Sequence, residues 1–486
     1  MNLRKRHIIL LSMIALLLGF IGAYFGVSLA QSKNPTKSND SEWYEDFLSE
    51  DSGDIQPPEN ISKVTQAYGL IKQHYIEEID DDQLIEGAIQ GMLSTLEDPY
   101  STYMDPEEME EFNEQIESSF EGIGAEVSMM NGQVTIVAPI KDSPAEKAGL
   151  RPNDQVLSVD DESLEGLDLN EAVNKIRGEK GSEVVLKIKR SGATEPFEVT
   201  IVRDTIPVET VYSEMITDEN ENIGLIEITN FSEGTAEEFN DQLTQLESDG
   251  MDGLIIDVRG NPGGLLNSVE EILEHFIPSD IPYIQIEDPN GETDKHYTDL
   301  EEKKDYPITV LVDEGSASAS EILAVAMKEV GYDVIGTTSF GKGTVQQAVP
   351  LGDGSTIKLT FYKWLSPKGN WINEKGVKPT IEVKQPEHYH ANPVQIKKPL
   401  KFDQTGENIE NIQQMLKGLG FEPGRTDGYF DKGTVESVKA FQKEHDLKVT
   451  GEVDEETGGL IETKLIEFVR EGKDDQQLEK AIESLQ

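Results

Sequence analysis

The chain is predicted to be a multidomain protein of mixed α/β class, and three observations in its 486 residues carry that expectation. Strand-like runs alternate with helical segments over 206–383, the pattern of an α/β core. Short β-like runs separated by turn residues fill 119–205, and apolar residues at helical spacing mark 59–118 and 405–465. A chain this long exceeds one ordinary core and is expected to divide into about three domains.

At the N-terminus, Arg4, Lys5 and Arg6 precede an apolar run from Ile8 to Ala30. That run is long enough to cross a bilayer, and the cations before it place the N-terminus in the cytoplasm and the rest of the chain outside. Ser28-Leu29-Ala30 offers a cleavage site, but a secretory apolar region is usually about 7 to 15 residues long. A retained transmembrane anchor over 1–30 is therefore expected, putting the protein at the cell membrane as a single-pass, extracytoplasmic molecule. Residues 31–58 are polar, acidic and poor in aliphatic side chains, which predicts a disordered tether.

Val64, Tyr68 and Ile71, then Leu84, Ala88, Met92 and Leu96, predict two or three helices interrupted at Asp98-Pro99. In 119–205 the runs Gln133–Val137, Glu183–Ile188 and Phe197–Val202, with one helix at Leu169–Ile176, suit a small partly open β-barrel. In 206–383, strands are expected at Ile223–Ile228, Gly253–Val258 and Ile308–Val312, and helices at Ala236–Leu246 and Ser320–Val330. Pro386, Pro393 and Pro399 mark 384–404 as a linker. A compact helical unit is expected over 405–465, with Ile412, Leu416, Val438 and Phe441 in its core, and a charged helical tail over 466–486.

The formal charge is −52, from 94 acidic against 42 basic residues, and a surface of that sign repels nucleic acid. The acids are spread along the chain, as in a surface that stays soluble at high salt, rather than gathered for one basic partner. With no cysteine, disulfides and thiolate metal sites are excluded; neither a metal nor a cofactor is expected.

The stretch DEGSASASEIL (313–323) places Ser316, Ser318 and Ser320 just before a predicted helix. A serine hydroxyl is a weak nucleophile until a base removes its proton. His7, His74, His275, His296, His388, His390 and His445 all lie outside any run resembling a catalytic motif. Lysine remains, and Lys342 sits between two glycines in SFGKGTVQQ (339–347), where backbone can close around the amine. A lysine serves as a base only when desolvation or a nearby cation lowers its pKa. Gln346, four residues on, is a polar companion that would hold the amine without neutralising it. A rival reading is a phosphate loop, since 336–342 has G-x-x-x-x-G-K spacing, but Gly343 stands where the magnesium-binding Ser or Thr belongs.

SASASEIL, SFGKGTVQQ and LIIDVRGNPGGLL (254–266) together resemble the C-terminal processing peptidases, or tail-specific proteases, a family with a crotonase-like α/β serine-peptidase core. The resemblance implies that Ser318 is the nucleophile, Lys342 the general base and Gln346 the residue orienting it. Asn261-Pro262-Gly263-Gly264 suits an oxyanion hole, because glycines let backbone N–H groups approach without a Cβ in the way. Gly263 or Gly264 is assigned to it with the Ala319 amide. FEGIGA (120–125) followed by SPAEKAGLRPND (143–154) resembles a PDZ domain. Such a groove takes a peptide as an added strand and caps its carboxylate with loop amides. Gly122, Ile123, Gly124 and Ala125 would form that loop, Val173 would line the side-chain pocket, and Arg177 would touch substrate or core. Residues 405–465, with Thr426-Asp427-Gly428-Tyr429-Phe430 and Phe441-Gln442, resemble a small three-helix peptidoglycan-binding domain. The implied partners are proteins with free C-termini, peptidoglycan, the membrane and a second copy of the chain in a homodimer. The alternative is a non-catalytic adaptor built from the PDZ and peptidoglycan-binding modules.

Overall fold

The computed structural model describes residues 60–130, 132–218 and 221–486. The expected anchor and tether lie outside the described residues, among which no helix is long and apolar enough to cross a membrane. The structure divides at Ala88. Before it lie α1 (Ser62–His74) and the start of α2 (Asp81–Ser94). Their connection is clipped by Lys72, 2.7 Å from Asp81, and by the Tyr68 hydroxyl, which donates to Asp81 at 2.7 Å.

After α2, β1 (Thr102–Met104) leads into α3 (Pro106–Glu117). Asp105 accepts from the Glu108 N–H while Glu108 accepts from the Asp105 N–H, and Pro106 follows, so the helix start is chemically fixed. The β-rich unit comprises β2 (Ser119–Gly122), β3 (Ala125–Met130), β4 (Gln133–Pro139), α4 (Pro144–Lys147), β5 (Gln155–Val159), β6 (Glu162–Ser163), α5 (Leu169–Ile176), β7 (Glu183–Lys189), β8 (Phe197–Val202) and β9 (Asp204–Pro207). Its sheet runs β3-β4-β5-β7-β8, with β6 on β5, around Ile136, Val184, Leu186 and Ile188. A β2–β9 ribbon ties its two ends together.

The next layer contains β10 (Val211–Asp218), β11 (Glu221–Ile228), α6 (Thr235–Ser248), β12 (Gly253–Asp257), α7 (Leu266–Leu273), β13 (Ile284–Glu287), β14 (Thr293–His296), β15 (Ile308–Val312), α8 (Ala319–Glu329), β16 (Asp333–Gly336), β17 (Thr344–Pro350), β18 (Thr356–Leu365) and β19 (Ile381–Glu382). The main sheet has the order β10-β11-β12-β15-β16-β19, parallel from β11 onward. Every residue of β12 and β15 is buried, which explains their unbroken apolar sequences: both faces of the sheet are covered. Phe239, Ile272 and Leu323, from α6, α7 and α8, and Phe276 just after α7 cover one face. A second sheet, β1-β18-β13-β14 with β17 on β18, brings β1 against the strands that follow Lys342.

Helices α9 (Glu407–Gly418), α10 (Lys432–Glu444) and α11 (Glu455–Arg470) bury Ile412, Leu416, Val438 and Phe441 in one core, as expected. Gln442 is fully buried, its amide spent on Thr450, Gly451, Glu452 and Thr457, so the Phe-Gln pair is structural. The expected tail over 466–486 is corrected. The first five of these residues complete α11, and α12 (Gln476–Leu485) forms a layer of the core. Leu478, Ala481, Ile482 and Leu485 recur at helical spacing and pack on Ile223, Ile255, Leu311 and Ile335, the second face of the main sheet.

Candidate active site

Ser318 lies at the corner between β15 and α8 with φ 52° and ψ −111°, a costly backbone conformation for a residue with a Cβ. The three alternating hydroxyls have different surroundings. Ser316 Oγ donates to the Val258 carbonyl at 2.7 Å and Ser320 Oγ to the Asn261 carbonyl at 2.9 Å. The outer two serines thus sew the corner to the loop after β12, while Ser318 between them remains half-exposed.

That loop is held by fully buried Asn261, whose amide nitrogen donates to Ile228 O at 2.7 Å and whose Oδ1 accepts the Gly263 N–H at 2.8 Å. The Gly263 carbonyl accepts from Phe231 N, so across the trans peptide the Gly264 N–H points away from Phe231. Among the described residues neither that N–H nor the Ala319 N–H, at the first position of α8, has an acceptor. A Cβ on Gly263 would lie 2.8 Å from Ser318 Cβ and 3.0 Å from Ala319 N, so the glycine is required for the loop to approach the corner. Of the two candidate donors, Gly263 has its N–H occupied and Gly264 does not.

Lys342 is brought to the same corner by Glu321, a fully buried carboxylate three residues into the sequence after Ser318. Its Oε2 accepts the Ser318 N–H at 2.9 Å and the Lys342 N–H at 2.8 Å; its Oε1 accepts Ser339 Oγ at 2.6 Å and the Gly341 N–H at 2.7 Å. These bonds also dispose of the phosphate-loop reading. The N–H groups of Gly341 and Lys342 cradle a carboxylate of the chain itself, and the strand β17 follows where a phosphate loop needs a helix.

Among the described residues the Lys342 amine makes no hydrogen bond or ion pair, in a chain with an excess of carboxylates. The amine lies over the Tyr100 ring, 5.0 Å from Nζ to centroid. Burial, aided by the charge of Lys358 on β18 and opposed by Glu321 and Asp98, lowers its pKa to about 8. Asp98 is itself engaged by Ser101 Oγ at 2.6 Å and the Tyr100 N–H at 3.0 Å. Tyr100, Glu321 and Lys358 were missed in the sequence. Only Glu321 left a signal there, the S-x-x-E of a capping box.

Gln346 Nε2 donates to Thr344 Oγ1 at 2.8 Å and Thr360 Oγ1 at 3.1 Å, and among the described residues it has no bond to Lys342. A register shift between Val345 and Gln346 turns the strand at this point. His275 packs on Phe239 and Phe276, and His296 faces Glu270, so neither is engaged with Ser318.

In the β-rich unit, β3 is an edge strand flanked by α5, and Val173 is half-buried on that helix. The carbonyls of Ile123 and Gly124 accept from Ala145 and Ile140, whereas among the described residues the N–H groups of Ile123 and Gly124 have no acceptor. Gly122 and Gly124 are buried and Ala125 half-buried. Gly124 has φ +72°, and a Cβ there would lie 2.5 Å from Ser143 Cβ. Arg177, at the end of α5, pairs with Glu114 of α3 at 2.7 Å and covers the Phe120 ring at 4.8 Å, and its Cγ would lie 3.7 Å from a Cβ on Gly122.

Comparison with known proteins matches peptidase family S41 over 222–383, a PDZ domain over 135–190, the N-terminal domain of the activating protease CtpB over 16–108, and a peptidoglycan-binding domain over 405–461. The chain is 50% identical over 472 residues to the carboxy-terminal processing protease CtpB of Bacillus subtilis (strain 168), covering 97% of each. It is 45% identical over 427 residues to CtpA of the same strain, covering 87% of this chain and 90% of that protein. Among solved structures, the photosystem II D1 C-terminal processing protease aligns at 26% identity over 66% of this chain and 86% of that one, with a TM-score of 0.41.

Proposed function

Since the chain belongs to the carboxy-terminal processing serine proteases of peptidase family S41, we propose that it cleaves peptide bonds with Ser318 as nucleophile and Lys342 as general base. The observation that carries this reading is the Lys342 amine, unpaired among the described residues and lowered to about 8, on a residue whose backbone N–H shares the Glu321 carboxylate with the Ser318 N–H. A neutral amine takes the Ser318 proton as Oγ attacks the scissile carbonyl carbon. The carbonyl oxygen becomes an oxyanion in reach of two unspent N–H donors, Gly264 and Ala319. As the tetrahedral intermediate collapses, the lysine ammonium protonates the leaving amine, and the acyl-serine remains. Water then attacks the ester with Lys342 again as base, releasing the new C-terminus and restoring the serine. Gln346 acts one step away, by fixing Thr344 and Thr360 on the strands beside the lysine loop.

The edge strand β3 would take the substrate tail as an added strand, its carboxylate on the Ile123 and Gly124 amides and its last side chain against Val173. Arg177, beside Gly122 and paired with Glu114, would tie the loop of these amides to α3. The apolar run before residue 31 would hold the enzyme at the membrane with its catalytic part outside. Residues 405–461 would keep it against peptidoglycan, and exposed Ile61, Val64 and Leu70 on the N-terminal helices would serve a homodimer. The decisive experiment incubates wild type, Ser318→Ala and Lys342→Ala with a loosely folded protein carrying a free C-terminus. Cleavage by wild type alone is expected; cleavage by Ser318→Ala at the wild-type rate would sink the assignment.

A further inference from the structure

Arg259 stands where the main sheet passes into the oxyanion loop: β12 ends at Asp257, and Gly264 follows five residues after the arginine. Its largely buried guanidinium is fully committed. Nε lies 3.0 Å from both oxygens of Asp257, and Nη2 donates to Asp257 at 2.6 Å. Nη1 donates to Asp475 Oδ1 at 2.9 Å and to Gln477 Oε1 at 3.2 Å, and Nη2 is 2.9 Å from Asp475 Oδ2.

Asp475 and Gln477 belong to the far end of the chain, beyond the peptidoglycan-binding unit, and are only 5% and 1% exposed. Asp475 also caps α12 by accepting the Leu478 N–H at 2.9 Å, and accepts Gln385 Nε2 at 2.7 Å. A buried carboxylate with these partners has one position, set by a helix that is itself packed on the main sheet. Asp257, by contrast, is two residues from Arg259 and can fix only their local turn.

The loop is therefore gripped on two sides. On one side the Gly260 N–H donates to Asp313 Oδ1 at 2.8 Å, and Asp313 belongs to the nucleophile's own stretch. On the other, Asp475 holds Arg259. The 405–461 unit lies between two parts of the catalytic domain in sequence, and the turn leaving its last helix ends at the carboxylate that holds Arg259.

We propose that Asp475 is a positioning residue for peptide-bond cleavage, acting through Arg259 on the loop that carries the Gly264 N–H. It follows that Asp475, at the cap of α12, serves the catalytic domain on which that helix packs and not the wall-binding unit. The proposal rests on the Ser318, Gly264 and Ala319 reading above. It predicts loss of turnover without loss of substrate binding, because the oxyanion forms only after the substrate is bound.

The test uses the full-length protein and a peptide with a free C-terminus, measuring kcat, KM and thermal unfolding for Asp475→Asn, Arg259→Lys and the double variant. Asp475→Asn is expected to lower kcat about tenfold or more with KM within about twofold of wild type. In the double variant kcat should match Arg259→Lys alone, because the two residues act as one unit. Glu483→Gln, on the exposed side of the same helix, should leave kcat unchanged. If Asp475→Asn does not unfold cooperatively, Asp475→Glu replaces it with the same expectation. A wild-type kcat in the Asp475 variant, or independent losses that multiply in the double variant, overturns the proposal. Ser318→Ala run alongside separates this from failure of the underlying reading, which would show as undiminished cleavage by that variant.

Discussion

One oxygen of Glu321, Oε2, accepts the Lys342 backbone N–H at 2.8 Å and, at 2.9 Å, the N–H of Ser318. The two amides are thus no farther apart than the sum of these lengths, although 24 positions separate them in sequence. A carboxylate suits this place because it accepts at both oxygens and donates nothing. In Glu321→Gln one end becomes an NH2 facing two N–H or O–H donors. Each donor left unpaired in a buried site costs roughly 1–3 kcal/mol, so the variant should lose stability on that scale. Turnover should fall by more than about tenfold, because nucleophile and base lose their common anchor. Denaturant unfolding and kcat, measured on the same preparation, check both.

Activity should rise with pH with a midpoint near 8, since only the neutral Lys342 amine accepts the serine proton. Stability follows the same group with a definite sign. Its pKa is lower in the folded than in the unfolded chain, so protonation favours unfolding: the cost is fully present below about pH 8 and disappears as pH rises toward the ordinary lysine value. Lys342→Met should therefore be inactive yet more stable than wild type at pH 7, with the advantage gone near pH 10.5. Equal pH dependence of unfolding in the two proteins would show that the amine is not desolvated.

The two loop glycines should fail in different ways. Both have positive φ, 105° at Gly263 and 143° at Gly264, so each alanine variant is strained. The Gly263 Cβ would lie 2.7 Å from Ala317 O and 2.8 Å from Ser318 Cβ, inside the catalytic corner. Gly263→Ala should lower kcat by about 100-fold or more, on the scale of a lost oxyanion donor. The Gly264 Cβ would fall 2.0 Å from Phe231 O, where the loop pairs with the segment after β11, so Gly264→Ala should also lower the unfolding temperature further. Paired measurements of melting and turnover distinguish the two.

Tail preference should depend on the Ile123 and Gly124 amides. Amidating the substrate C-terminus removes the charge they receive and should raise KM about tenfold or more with a smaller change in kcat. Val173→Asp, which puts a carboxylate beside the incoming one, should do the same for unmodified substrates. Steady-state kinetics on matched free and amidated peptides provide the check.

Most of what positions the site was legible in the sequence for local reasons. Unbroken apolar runs became β12 and β15, and the Ser-Ala alternation before an apolar stretch became the corner and α8. Glu321 was visible only as a helix-start signal, because a capping box has the same spacing whether or not its carboxylate also receives a distant loop. Tyr100, 242 residues from Lys342, left no trace. Of the two tyrosines after Pro99, Tyr103 is core while Tyr100 covers the amine.

By itself the sequence determined where most of the strands and helices and the three motifs fall, and it led to the expectation that a lysine rather than a histidine serves Ser318. Tertiary structure alone decided that Gly264 and not Gly263 keeps its N–H unspent, that Gln346 bonds two threonines, and that residues 476–485 form a layer of the core. The physical reason is that side-chain periodicity records which face of an element must be covered, whereas the identity of the cover depends on segments brought together from far along the chain. Leu478, Ala481, Ile482 and Leu485 announced an apolar face; only the folded sheet supplied Ile255 and Leu311 to meet it.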